Sequence, residues 1–128
     1  MEKSMRKLVS FGLFLMVSAA APGQPTAVSI EMSNFKFAPD LIQLRAGTQI
    51  TLHLRNASSG GHSFSAPAFF AAARIAPQSA ALVHNGMVDV PGGRAVDIAL
   101  VPAAGSYKLR CTHTLHSTFG MKGTIVVR

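Results

Sequence analysis

One short stretch near the end of the chain, CTHTLHSTFGMKG, concentrates residue types that bind soft metal ions. It holds Cys111, the only cysteine of the chain, with His116 five residues later and Met121 five residues after that. A thiolate, an imidazole and a thioether suit copper in both of its oxidation states, in sites that combine two histidines, one cysteine and a weak axial methionine. The stretch therefore predicts a copper site that needs one more histidine.

His62, in the segment SGGHSFSAP, is the best candidate for that second imidazole. Gly60 and Gly61 precede it and allow a tight backbone, and a strand is predicted to begin directly after it. We therefore expect His62, Cys111 and His116 close to the metal and Met121 as the axial ligand. Taken alone, Cys111 would more often be a small buried apolar residue or an intermolecular thiol, since one cysteine forms no internal disulfide.

The three remaining histidines have simpler interpretations. His53 lies at an outward position of a predicted strand, and His84 lies in the segment LVHNGMVDV, so both are expected to be exposed or at a sheet edge. His113 follows Cys111 by two residues. It could support a ligand from outside the coordination sphere or bind copper in a more open site.

The elements that must position these ligands are short strands. Alternating apolar residues predict seven or eight of them, separated by Gly and Pro turns, in an all-β antiparallel sandwich or barrel. The segment AFFAAARI, rich in alanine, predicts the single short helix. In SYKLRC the period of two places Tyr107, Leu109 and Cys111 on one face, so the thiol should leave the core side at the end of a strand.

The first residues have the pattern of an export signal. Lys3, Arg6 and Lys7 precede an apolar run that ends near Val17, and small residues follow. The run is too short to span a bilayer as a helix. We expect residues 1–21 to be a cleaved signal peptide and residues 22–128 to be one domain, located in the periplasm or secreted. The alternative is an uncleaved N-terminal anchor.

Residues 22–128 carry nine Lys or Arg and four Asp or Glu. The basic residues are scattered singly and form no run, as Lys36, Arg45, Arg55, Arg74 and Arg94 illustrate. Such a distribution argues against nucleic acid as a partner, and export argues against it further. An acidic protein surface is the better expectation for a partner.

GGHSF followed by CTHTLHSTFGMKGTIVV, on a chain of predicted strands, resembles the cupredoxins, the small blue copper proteins. The Cys-x4-His-x4-Met spacing is similar to that of rusticyanin, sulfocyanin and auracyanin, and MKGTI is similar to azurin. The spacing in this chain departs from that of plastocyanin, in which the histidine falls three residues after the cysteine, because Thr114 occupies that position here. The resemblance implies a Greek-key sandwich with copper held by His62, Cys111, His116 and Met121.

The resemblance also implies a function. The protein is expected to be a monomeric exported carrier of single electrons, and not an enzyme. Its transient partners would be cytochromes, a terminal oxidase or a copper-containing reductase, with no nucleic acid and no stable membrane insertion after signal cleavage. Leu115 and Phe119 flank His116 and could form an apolar docking patch. The alternatives are a copper-binding, metallochaperone or copper-resistance protein and, ranked last, a copper enzyme.

Overall fold

The computed structural model of the protein describes Gly12 and residues 26–113 and 120–128. In these ranges ten strands form two five-stranded sheets, accompanied by two short helices. The strands are β1 (Thr26–Ser33), β2 (Lys36–Ala38), β3 (Leu41–Leu44), β4 (Ile50–Asn56), β5 (His62–Ser65), β6 (Arg74–Ile75), β7 (Met87–Val90), β8 (Ala95–Val101), β9 (Gly105–Arg110) and β10 (Lys122–Val127). The helices are α1 (Pro67–Ala72) and α2 (Pro77–Ala80).

The predicted sandwich is confirmed, although its sheets are mixed and not purely antiparallel. The first sheet has the order β2-β1-β4-β8-β6 and the second has the order β3-β10-β9-β5-β7. β1 pairs in parallel with β4, and β3 pairs in parallel with β10. Parallel neighbours need a crossover connection. The chain supplies one between β1 and β4 by passing through β3 in the opposite sheet.

The core lies between the sheets and follows the period of two. Ile50, Leu52 and Leu54 of β4 are buried, while His53 lies on the other face as predicted. Phe64 of β5 contacts Phe37 and Phe70 in edge-to-face geometry, with ring centroids 6.0 Å apart in both pairs. Because Phe64 follows His62 by two residues, the packing of this ring also fixes the strand that carries the histidine.

The segment LVHNGMVDV, whose apolar residues on both sides of Asn85 and Gly86 are those of a strand candidate, is instead a tight hairpin. Asn85 and Gly86 both have positive φ, 51° and 70°, and the backbones of His84 and Met87 exchange two hydrogen bonds of 2.9 Å. Asn-Gly is the strongest short hairpin signal, because both of its residues tolerate positive φ. The strand proper, β7, therefore starts only at Met87.

The helix α1 confirms the one that was predicted, and α2 is additional. Both begin at a proline, whose fixed φ suits the first turn of a helix. They have six and four residues. Within the described ranges, no helix has the length and apolar character needed to cross a membrane.

Candidate metal centre

Three of the four predicted ligands meet at one end of the second sheet. His62 is the first residue of β5, Cys111 directly follows β9, and Met121 directly precedes β10. β9 lies between β10 and β5 and runs antiparallel to both. The end of β9 is therefore next to the starts of its two neighbours, which brings the three side chains together.

The distances fit a metal site made from these donors. The Sγ of Cys111 lies 3.9 Å from Nδ1 of His62. The amide of Cys111 donates a hydrogen bond of 3.1 Å to the carbonyl of Met121, which fixes the thioether residue beside the thiol. His62 is 4% exposed, and Cys111 and Met121 are fully buried. This part of the site is consequently closed to water.

His116, the fourth predicted ligand, lies outside the described residues, as do Leu115 and Phe119. Its role therefore stays a prediction, as does the apolar docking patch around it. The described residues on either side of His116 are His113, two residues after Cys111, and Gly120, which directly precedes Met121.

Ser63 supports the thiol directly, and no sequence pattern predicted this role. Its backbone N–H donates to Cys111 Sγ at 3.4 Å, and its hydroxyl lies 3.7 Å from the same sulfur. The amide of Thr112 donates to Ser63 Oγ at 2.8 Å, and the two hydroxyls are 2.9 Å apart. Ser63 is fully buried, so these bonds hold the sulfur and the start of the ligand loop in one geometry.

Asn56 holds the turn that leads into His62, and it was also missed. Its Nδ2 donates to the carbonyls of Gly60 at 2.8 Å and Val90 at 2.9 Å, and its Oδ1 accepts from the amide and hydroxyl of Ser58. Asparagine side chains often organise turns through such bonds two residues on. An asparagine at the end of a predicted strand, directly before the segment ASSGG, was the available signal.

The turn that follows β7 packs against the same loop. A Cβ atom on Gly92 would collide with the carbonyl oxygen of Ser59, so only glycine allows this approach. The amide of Gly93 donates to the carbonyls of Asn56 and Ser58 at 3.0 Å. The loop before His62 is thus held from two sides, and this arrangement fixes the position of the imidazole.

His113 lies at the edge of the site. Its ring centroid is 6.5 Å from that of His62, and its Nε2 is 4.0 Å from Oδ1 of Asp89. A Cβ atom on Gly61 would lie 3.3 Å from His113 Cε1. The position is compatible with a supporting role beside the imidazole of His62, which remains a prediction.

The other two histidines lie where they were expected. His84 is exposed and forms a bridge with Met87 beside the hairpin turn. His53 pairs across β4 and β8 with Asp97, with Nδ1 and Oδ1 2.6 Å apart, and the two side chains are 39% and 64% exposed. Exposed pairs of this kind contribute little to stability.

Asp97→Asn is expected to change the free energy of unfolding by less than about 1 kcal/mol, because the pair with His53 is solvent-screened. Chemical denaturation of the metal-free protein measures this change.

His53→Ala is expected to leave the copper spectrum unaltered, since His53 lies on the outer face of the other sheet. Loss of copper binding in the His53 variant would contradict this assignment.

The donor types at the site fit copper. Among the described residues they are one imidazole, one thiol and one thioether, and no group of three His, Cys, Asp or Glu side chains gathers in that part of the chain. Thiolate, imidazole and a weak thioether are the donors of blue copper sites, whereas magnesium, calcium and manganese prefer carboxylates and carbonyls. The set therefore fits one copper ion, with its second imidazole expected from His116.

Comparisons with known proteins agree with this fold. Auracyanin from Roseiflexus castenholzii has 20% identity and a TM-score of 0.60 over 83% of this chain and 99% of its own. Auracyanin A, a "blue" copper protein from Chloroflexus aurantiacus, has 19% identity and a TM-score of 0.59 over 82% of this chain and 100% of its own. A multicopper oxidase from Campylobacter jejuni has 11% identity and a TM-score of 0.60, over 84% of this chain and 31% of its own.

No curated protein sequence gives a significant match to the chain. The family model of the cupredoxin-like domain matches residues 7–127, nearly the whole length. Together with the two-sheet sandwich and the His, Cys and Met side chains at one end of it, this match shows that the chain belongs to the cupredoxin-like family.

Proposed function

We propose that the protein is an exported carrier of single electrons, with one copper ion held by His62, Cys111, His116 and Met121. The observation that carries the proposal is the 3.9 Å approach of a buried thiol and a buried imidazole beside Met121. When bound, copper would supply the one-electron change between Cu(I) and Cu(II).

The surroundings of these residues favour electron transfer over chemistry on a substrate. His62, Cys111 and Met121 are attached to the ends of paired strands, and the loop before His62 is held by buried hydrogen bonds. Rigid ligands that suit both oxidation states keep rearrangement small when an electron moves. Burial of the same three residues keeps water from this side of the metal, whereas a catalytic metal needs an open position.

The cellular setting belongs to the same proposal. Residues 1–21 have the composition of a signal peptide, which would place residues 22–128 in the periplasm or outside the cell. The partners would be cytochromes, a terminal oxidase or a copper-containing reductase. Carriers that exchange electrons with several proteins use small, transient interfaces. The excess of basic residues supports acidic partner surfaces and rates that fall with ionic strength.

Copper-loaded protein is expected to show an intense thiolate-to-copper charge-transfer band in the visible spectrum. Its electron paramagnetic resonance spectrum should show narrow copper hyperfine splitting. Both signatures should disappear completely in Cys111→Ser, because the serine hydroxyl does not replace the thiolate donor. His84→Ala is the matched control, since this histidine is exposed and outside the predicted ligand set, and it should leave both spectra unchanged.

A weak, ordinary cupric spectrum that is indifferent to Cys111 would contradict the proposal. Rapid loss of copper to a chelator would then indicate copper handling in place of electron transfer. Steady chemical turnover by the copper-loaded protein would instead indicate an enzyme.

A further inference from the structure

Three basic side chains form a cluster on the outer face of the second sheet. Lys108 and Arg110 belong to β9 and Lys122 begins β10, and all three are exposed. They alternate with residues that point into the core, since Leu109 and Cys111 are buried. We call Lys108, Arg110 and Lys122 the basic cluster.

The register of the two strands makes the basic cluster dense. Lys122 lies directly opposite Arg110, and Lys108 lies opposite Thr124 two residue pairs further along the strands. Like charges that face each other across a strand pair destabilise a sheet. The cluster also lines a groove whose other sides include Asp40, Leu41 and Thr124. The chain therefore carries a concave, positively charged surface that packing alone does not explain.

The carboxylates of residues 22–128 do not neutralise this cluster. Asp97 pairs with His53, Glu31 lies 3.5 Å from Arg55, and Asp89 lies beside His113. The fourth, Asp40, lines the groove. In the described part of the chain, no ion pair forms between a carboxylate and Lys108, Arg110 or Lys122. The basic cluster is thus available to an external anion.

The cluster is next to the proposed metal ligands in the chain. Arg110 immediately precedes Cys111, and Lys122 immediately follows Met121. The ligands point inward and the cations point outward from the same two strands. A molecule bound to this outer face would lie behind the strand ends that hold two of the donors.

We propose that the basic cluster and its groove form a docking surface for an acidic patch on a partner protein. The view that this partner exchanges electrons rests on the proposed function, whereas the docking itself does not. Arg110 can hold one carboxylate through two parallel hydrogen bonds, and the lysines add point charges beside it. Asp40, at the side of the groove, would repel acidic surfaces bound in the wrong orientation.

The chemistry of the groove favours an acidic protein over an anionic membrane or a single-stranded nucleic acid. Clusters that bind anionic membranes usually contain four to eight basic residues, and three are present here. Leu41 is the only large exposed apolar side chain among the described lining residues, which is too little for insertion into lipid. No aromatic residue is among that lining, so single-stranded nucleic acid would find no stacking surface in it.

The test is a titration of the purified, isotope-labelled protein with a Glu-rich peptide, followed by nuclear magnetic resonance. We expect amide shifts centred on β9 and β10 that disappear at high salt and with the Gln-substituted peptide. The triple variant Lys108→Gln, Arg110→Gln, Lys122→Gln should bind the peptide about tenfold more weakly or worse. The matched control is Lys36→Gln, Arg45→Gln, Arg74→Gln, which removes the same charge from exposed sites elsewhere and should bind nearly as well as the parent.

Equal weakening in both triple variants would overturn the proposal, because net charge alone would then explain binding. Shifts produced by phosphatidylserine vesicles or by single-stranded DNA but not by the peptide would overturn it as well. Thermal melting checks that both variants fold; the cluster variant is expected to fold because removal of the facing like charges relieves repulsion. The titration is repeated on metal-free protein, so that failure to bind copper and failure to dock a peptide are separate results.

Discussion

Replacement of Asn56 by alanine is expected to lower the free energy of unfolding by about 3 kcal/mol. The side chain is fully buried and donates to the carbonyls of Gly60 and Val90 while accepting twice from Ser58. Truncation leaves buried backbone groups without partners, which costs more than the bonds themselves contribute. Because the affected loop ends at His62, copper affinity should fall together with stability.

Denaturant unfolding of the metal-free protein measures the stability change, and competition with a chelator measures the loss of copper affinity. Asn56→Asp is the sharper variant, since it keeps the acceptor oxygens and removes the Nδ2 donor. It should destabilise as strongly as alanine. Asn34→Ala is the matched control, because Asn34 is exposed in the turn between β1 and β2 and should cost less than about 0.5 kcal/mol. Similar stability of the Asn34 and Asn56 variants would contradict the role given to Asn56.

Most of the fold was predictable because burial in a sandwich imposes a period of two. Ile50, Leu52 and Leu54 alternate in the sequence as they do in the structure. Which strands pair was not predictable, since the parallel contact of β3 with β10 joins residues more than eighty positions apart in the chain. A local pattern specifies which face of a strand is buried but not which strand lies beside it.

The hairpin at Asn85 and Gly86 was missed for a different reason. The signal was local and present, but apolar residues on both sides of the turn suggested a single strand. A two-residue hairpin turn requires positive φ at both of its central residues, and Asn85 and Gly86 adopt it readily. The chain therefore turns at this position although the flanking apolar residues favour a strand.

The candidate metal donors stand out in the sequence more clearly than the residues that contact them. Cys111 and Met121 have an unusual donor chemistry at short spacing, which the sequence displays directly. Ser63, Thr112 and Asn56 are common polar residues, and their importance comes from contacts made after folding. Ser63 reaches Cys111 across a separation of 48 residues. No short motif contains both partners of the contact between Ser63 and Cys111, so this hydrogen bond becomes visible only in the structure.

Ser63→Ala is expected to lower the reduction potential of the copper-loaded protein by roughly 40 mV. The serine hydroxyl lies 3.7 Å from Cys111 Sγ, and the reduced site carries one more negative charge than the oxidised site. A hydrogen bond to the sulfur therefore stabilises the reduced form more. If the difference is about 1 kcal/mol, a one-electron couple shifts by about 40 mV. The N–H of Ser63 still donates to the sulfur in the variant, so only the hydroxyl is tested.

Voltammetry of the parent and the variant measures the shift, and the charge-transfer band reports whether the site is intact. Ser65→Ala is the matched control, since Ser65 is a buried serine on the same strand and makes none of the hydrogen bonds to sulfur described above. It should leave the potential nearly unchanged. Thr112→Val removes the hydroxyl beside Ser63 but keeps the Thr112 amide, and it should produce a smaller shift. If Ser63 acted only through packing, its loss would lower the melting temperature without moving the potential; an unchanged or higher potential would therefore exclude the hydrogen bond to sulfur as its role.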